Sequence, residues 1–233
     1  MKRYLFLSIQ SLLAIMFFVA VPGNANAQNR DRNYIKDCIR KYGECRNVAI
    51  TKYNGDLMLY GQNGWAASGC PKDLTNALRE LHDDNEYIDD VQLTENGRWL
   101  ILYGDNGLQW NDIPYDLEQQ LREWNREQEV ITSVSFNDSG DWIAVSKGYI
   151  AASSPEIQDF VAEGMEDHGG VWATCVTEDA IVVVYEEGYR TFGEVPDSLV
   201  DALKETSINV YRLKIAGSSW FFSDGVSKYN YRM

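Results

Sequence analysis

Four cysteines, two histidines and a surplus of acidic side chains are the groups in this 233-residue chain that can do chemistry. Cys38, Cys45, Cys70 and Cys175 allow three full disulfide pairings in an oxidising compartment. Cys38 and Cys45 are nearest in sequence, and Gly43 between them can end a helix and turn the chain back, which makes them the candidate bridge. The alternative is that the thiols are small buried apolar groups. Zinc has no support, because Cys-x-x-Cys is absent and His82 and His168 are far apart. The stretch His82-Asp83-Asp84-Asn85-Glu86, with Asp89-Asp90, offers oxygen ligands for a cation such as calcium. It lacks the loop glycine and ligand spacing of known sites, and reads more simply as a solvated helix-to-strand connection. Gly-x-Ser-x-Gly, His-Glu-x-x-His and phosphate-binding glycine loops are also missing. No catalytic set, metal or cofactor is therefore expected.

Partners are bounded by charge. Thirty-five acidic residues against 21 basic ones give a net charge of −14, the reverse of the balance that phosphate backbones require, so nucleic acid is excluded. Residues 1–27 read as a secretory signal peptide. Lys2 and Arg3 form the basic start, Leu5 to Val21 the apolar run, and Ala25-Asn26-Ala27 the small-residue cleavage site after Pro22-Gly23. The run is short for a membrane span. The expected mature chain begins at Gln28, keeps 206 residues, carries a charge of −16 and does not insert in a membrane. Its expected location is secreted or periplasmic.

The elements that must position any site come from a repeat. Pro71, Pro114, Pro155 and Pro196 are spaced by 43, 41 and 41 residues, and Gly64, Gly107, Gly148, Gly188 and Gly225 keep nearly the same phase. In the second unit Val91 and Leu93 alternate with polar residues as a half-buried strand, and Thr94-Glu95-Asn96-Gly97 is a hairpin turn. Trp99 to Tyr103 and Leu108 to Trp110 are two further strands. Pro114 suits a first helical position, and Leu117, Leu121 and Trp124 share one helical face. The unit is thus strand, strand, strand, helix.

Unit bounds fall near 45–87, 88–130, 131–170, 171–209 and 210–233. The last unit lacks a helix, whereas residues 29–44 form a helix with no strands before it; Ile35, Cys38, Ile39 and Tyr42 share its face. The fold class is α+β, with five repeats closed into an α/β propeller and the N-terminal helix completing the C-terminal unit. An open α/β solenoid is the alternative.

Equivalent turns in such a ring share one rim. Those turns carry Asp105, Asn106, Glu187 and Asp224, a mostly acidic circle that turn chemistry also explains. Trp65, Tyr149 and Tyr189 follow the recurrent glycines, and with Trp110 they can stack on a sugar or grip a peptide, or else pack between units. These eight residues are the candidate ligand contacts.

The phrases Gly97-Arg98-Trp99-Leu100-Ile101-Leu102-Tyr103-Gly104-Asp105-Asn106-Gly107 and Asn111-Asp112-Ile113-Pro114 resemble modules of tandem-repeat proteins from secreted bacterial sources, a likeness that brings no activity. Five strand-rich units each bearing a helix are similar in architecture to the pentein propeller. Catalytic penteins act on guanidino groups with a cysteine, a histidine and acidic residues. That likeness points to Cys175 and His168, although no cysteine follows Cys175 where the family carries its C-terminal one. The expected function is an exported, non-enzymatic binding protein for a glycan or a peptide. A guanidino-modifying enzyme and a structural envelope component are the alternatives.

Overall fold

The computed structural model describes residues 32–233. The segment 1–27 expected to be a signal peptide, and residues 29–31 of the expected 29–44 helix, lie outside the described residues. The chain opens with α1 (Asn33–Tyr42), followed by β1 (Asn47–Ile50), β2 (Asp56–Tyr60), β3 (Gly64–Ser68) and α2 (Lys72–Asp83). The pattern then recurs: β4 (Ile88–Leu93), β5 (Trp99–Tyr103), β6 (Gly107–Asn111), α3 (Tyr115–Arg126); β7 (Ile131–Phe136), β8 (Trp142–Ser146), β9 (Ile150–Ala152), α4 (Pro155–His168). It continues with β10 (Val171–Val176), β11 (Ala180–Tyr185), β12 (Tyr189–Gly193) and α5 (Asp197–Glu205), and ends with β13 (Arg212–Ala216), β14 (Ser219–Ser223) and β15 (Tyr229–Arg232). Each triplet is an antiparallel meander, so the molecule is a repeat of five three-stranded sheets. Four sheets are followed by a helix, and the fifth helix precedes the first sheet.

Local chemistry explains the recurrence. Gly97 adopts φ +82° in the β4–β5 turn, a region closed to most residues with a Cβ. Pro155 is the first residue of α4, whereas Pro71, Pro114 and Pro196 each stand one residue ahead of their helix in an extended conformation. Pro114 is therefore not at the first helical position: its φ of −52° serves a cap equally well, and no N–H is needed at either place. Ser154 caps α4, its Oγ accepting from the Ile157 N–H at 3.3 Å. Ser154→Ala is expected to lower stability by about 1 kcal/mol in a urea titration, the ordinary value of an N-cap.

The sheets stack face to face through apolar clusters. One joins Leu57 and Leu59 of the first sheet to Val91, Trp99 and Ile101 of the second, with Leu74, Leu78 and Leu81 of α2. Leu100 and Leu102 meet Val134 and Trp142 of the third sheet, and Ile143 and Val145 meet Ile181 and Val183 of the fourth. Val182 and Val184 meet Trp220 and Phe222 of the fifth. Ala216 and Phe221 of that fifth sheet share a cluster with Val48, Ile50 and Met58 of the first, and Ile35, Cys38 and Ile39 of α1 complete it. Among the described residues no strand hydrogen-bonds across two sheets, so neighbouring sheets join by side-chain packing. The first strands touch in the order β1, β4, β7, β10, β13, and β13 also touches β1.

This stacking corrects the half-buried strand expected around Val91. β1, β4 and β7 are covered on both faces, so polar residues such as Asp90 and Ser133 are buried and pair with neighbouring sheets. Trp99 packs in the first cluster while its Nε1 donates to Asp73 of α2 at 3.0 Å. Trp99→Ala is expected to cost about 3–5 kcal/mol, read from the midpoint of chemical unfolding. A neutral result would contradict its place in the core.

At the β1–β2 end, turn carboxylates tie each unit to the one before. Glu95 accepts from the Lys52 and Tyr53 N–H groups, Asp138 from Asn96, and Glu178 from Asp138 and Ser139. The fifth unit's turn has Gly217 and no such carboxylate, and Lys52 instead pairs with Asp179 of the fourth.

The expected Cys38–Cys45 bridge is not formed: both residues are free thiols. Gly43 does end α1 with φ 72° and turns the chain. Both sulfurs then serve as small apolar groups in one cluster, and the Cys45 S–H points at the Asn47 carbonyl 3.6 Å away. Burial pushes the Cys45 thiol far up, which holds it protonated.

Candidate functional site

Three of the first strands carry a β-bulge at the same place. Pairing slips by one residue between Ile88 and Asp90, between Ile131 and Ser133, and between Val171 and Ala173. The extra residues are Asp89, Thr132 and Trp172. A bulge bends the strand and re-aims its side chain. All three line one cavity of about 880 Å³.

The frame extends to every unit. Each bulged residue lies four positions before the residue that pairs with Trp99, Trp142 or Ile181, and the same count gives Arg46 in the first unit and Tyr211 in the fifth. Arg, Asp, Thr, Trp and Tyr thus occupy one equivalent backbone position. The packing position that pairs across the hairpin keeps tryptophan in three units, as Trp99, Trp142 and Trp220, with Asp56 and Ile181 in the other two. The bulge position repeats no residue type at all. Tyr211 joins the cavity wall; Arg46 turns aside, donating to the Gln62 and Ile88 carbonyls at 3.1 and 2.8 Å and lying 4.3 Å over the Tyr87 ring. Tyr87 is itself a wall residue, so Arg46 braces the site from behind.

Arg212 closes the floor. Its Nη2 donates to Asp89 Oδ1 at 2.6 Å and its Nη1 to the Tyr211 carbonyl at 2.7 Å. Burial works against its charge, but Asp90 and Asp89 outweigh it and hold the guanidinium protonated. The Trp172 and Tyr211 rings are 5.0 Å apart and tilted by 42°. Tyr149 from the β8–β9 turn, Met165 of α4, and Asp224 and Val226 from the β14–β15 turn also line the cavity. Tyr149 is 58% exposed and Val226 64%, so the wall presents apolar surface to solvent.

Of the eight candidates read from the sequence, Tyr149 and Asp224 reach this cavity. Asp224 is occupied in holding its turn: Oδ1 accepts from the N–H groups of Val226, Ser227 and Lys228 at 2.8, 2.8 and 3.0 Å. Burial would raise its carboxyl, but these three donors outweigh that and keep it below the usual carboxylate range. Glu187 and Tyr189 line a neighbouring cavity of about 320 Å³, which Trp172 also borders. Trp65 packs on the first cluster, Trp110 on the second beneath Arg122, and Tyr189 on the cluster between the fourth and fifth sheets. Asp105 is exposed on its turn, and Asn106 braces the exit of α3, taking the Ile131 N–H at 3.2 Å and donating to the Glu129 carbonyl at 2.8 Å. The aromatic and acidic candidates are therefore spread over all five units, three in the second and two in the fourth, rather than gathered at one site.

The sulfur–imidazole pair is not assembled either. Cys175 is buried among Val182, Leu199 and Leu213, and burial pushes its thiol up to about 11. His168 ends α4 against the Tyr185 ring at 5.8 Å, and the extended run from Val171 to Cys175 carries the thiol about 13 Å further along. Among the described residues no group of three or more histidine, cysteine, aspartate and glutamate side chains could hold a metal, and no helix is long and apolar enough to cross a membrane. In the acidic stretch 83–90, Asp89 is paired with Arg212 and Asp90 with Lys214.

Sequence reasoning missed Thr132, Trp172, Tyr211 and Arg212, and gave Asp89 only a place in a possible cation site. The signal was available: aligning the units on their hairpins exposes one column of five unlike residues. No protein-family model matches the chain, and no curated protein is similar to it.

Proposed function

We propose that this is an exported, non-enzymatic binding protein, its five units closed into a pentein-like α/β propeller, with its ligand seated in the 880 Å³ cavity. Closure is supported by the cluster that unites α1 and the first sheet with the fifth, and by contact between β13 and β1. Export rests on the signal-like segment 1–27. Trp172 carries the binding reading: of the seven tryptophans it alone belongs to none of the five apolar clusters. Its indole is held at the cavity wall by a bulge, half-buried against Tyr211 and outside the core clusters.

Glycan and peptide arrays probed with residues 28–233, wild type and Trp172→Ala, test the proposal. Wild type is expected to retain a ligand that the variant loses at least tenfold, with the melting temperature unchanged. Silence on both arrays alongside measurable hydrolysis of any arrayed compound would overturn it.

A further inference from the structure

We propose that the cavity takes a neutral oligosaccharide; this rests on the reading of the chain as a binding protein and deepens it. Charge comes first. The ionisable groups of the wall with a formal charge are Asp89, Arg212, Lys147 and Asp224, two of each sign. Asp89 and Arg212 neutralise each other at 2.6 Å, and Asp224 is committed to three backbone N–H groups. Lys147 and Asp224 add one charge of each sign, so the wall is neutral as a whole, and the net charge of −14 repels anions.

Shape and polarity point the same way. Trp172 and Tyr211 form a tilted aromatic corner and Tyr149 a third exposed ring, apolar faces of the kind against which the C–H face of a sugar packs. Their polar tips are not tied off. Trp172 Nε1 and the hydroxyls of Tyr149 and Tyr211 make no hydrogen bond to protein among the described residues, so all three are open to a ligand. A ligand offering both C–H faces and hydroxyls satisfies rings and tips together. The volume, about 880 Å³, lies in the upper part of the range for small-ligand sites, with room for several sugar rings.

An extended peptide would instead need a free strand edge. β9 is the edge beside the cavity, and its first carbonyl, Ile150 O, already accepts from Gln158 Nε2 at 3.2 Å. Tyr149 N–H is likewise bound to Ser146 Oγ at 2.9 Å. Strand addition is thus disfavoured at this wall.

Calorimetric titration of residues 28–233 with cello-, xylo-, manno-, malto- and chitotetraose, with tetragalacturonate as the anionic control, tests the inference. At least one neutral tetrasaccharide is expected to bind and to change tryptophan fluorescence, with tetragalacturonate at least tenfold weaker. Trp172→Ala and, separately, the exposed Tyr149→Ala are each expected to weaken binding at least tenfold with the melting temperature retained. Tyr149→Ala decides the matter if the tryptophan variant does not fold. Absence of binding by every neutral member, tighter binding of the anionic one, or binding untouched by both variants overturns the inference. An arrayed peptide that binds and is lost in Trp172→Ala overturns the sugar class while leaving the binding-protein reading standing.

Discussion

A chain lacking residues 28–44 is expected to lose cooperative folding at 25 °C. Ile35 and Ile39 of α1 are 0% and 4% exposed, and burial of each such side chain contributes about 1.5–3 kcal/mol. Deletion also uncovers the surfaces they seal, Val48, Ile50 and Met58 on one side and Phe221 on the other. Arg32, just ahead of α1, pairs with Asp56 and donates to the Thr51 carbonyl at 2.7 Å, and both charged side chains are almost wholly buried. Taking the guanidinium from Asp56 adds about 3–5 kcal/mol, the usual loss when one partner of a buried pair is removed. Together these losses reach the range of a whole domain's stability, about 5–15 kcal/mol. Circular dichroism melts of residues 28–233 and 45–233 read the difference directly, and adding a 28–44 peptide in trans is expected to restore a transition. An unchanged melt in the shortened chain would show that α1 does not join the last unit to the first, and the closed-ring reading would fall.

The repeat was legible because its punctuation is chemical. Prolines at helix entrances and glycines in turns answer backbone needs that recur in every unit, so they recur in sequence; Leu117, Leu121 and Trp124 reveal their helix face for the same reason. The cavity was illegible by that logic. A bulge adds one residue to a strand and leaves no turn signature, so Asp89, Thr132 and Trp172 look like ordinary positions between apolar neighbours. Turn residues misled in the opposite direction. Asn106 and Asp224 recur near the right place, but their polar atoms are spent on the backbone of their own and adjacent turns. Pairings across distant units have no local signal at all. Lys214 and Asp90 are separated by 124 residues and meet only because the fifth unit lies beside the first and second.

That meeting carries the second large expectation. Asp90 Oδ1 accepts from Lys214 Nζ at 2.8 Å and from Asn47 Nδ2 at 2.6 Å, while Oδ2 accepts from Gln92 Nε2 at 2.9 Å. Lys214 is 7% exposed and Asp90 3%, so the pair joins β1, β4 and β13 at a point water hardly reaches. Asp90→Asn leaves the ammonium buried without its counter-ion and is expected to cost about 3–5 kcal/mol at pH 7. Asp90→Asn combined with Lys214→Met is expected to recover most of that, because an apolar side chain of similar length removes the charge that needed pairing. Acid provides the check on mechanism. Burial alone would raise the Asp90 carboxyl, but Lys214, Arg212 and the side-chain donors outweigh it and hold the folded-state value below the ordinary one. The charged pair therefore stabilises fully above the unfolded-state pKa of about 3.9, and its contribution fades as pH falls through the lower folded-state value. Urea titrations at pH 7, 4 and 3 should show wild type and Asp90→Asn converging as the medium becomes more acidic. A gap that stays constant would mean that Asp90 acts by shape rather than by charge, and a gap absent at pH 7 would mean that β13 does not press against β1 and β4.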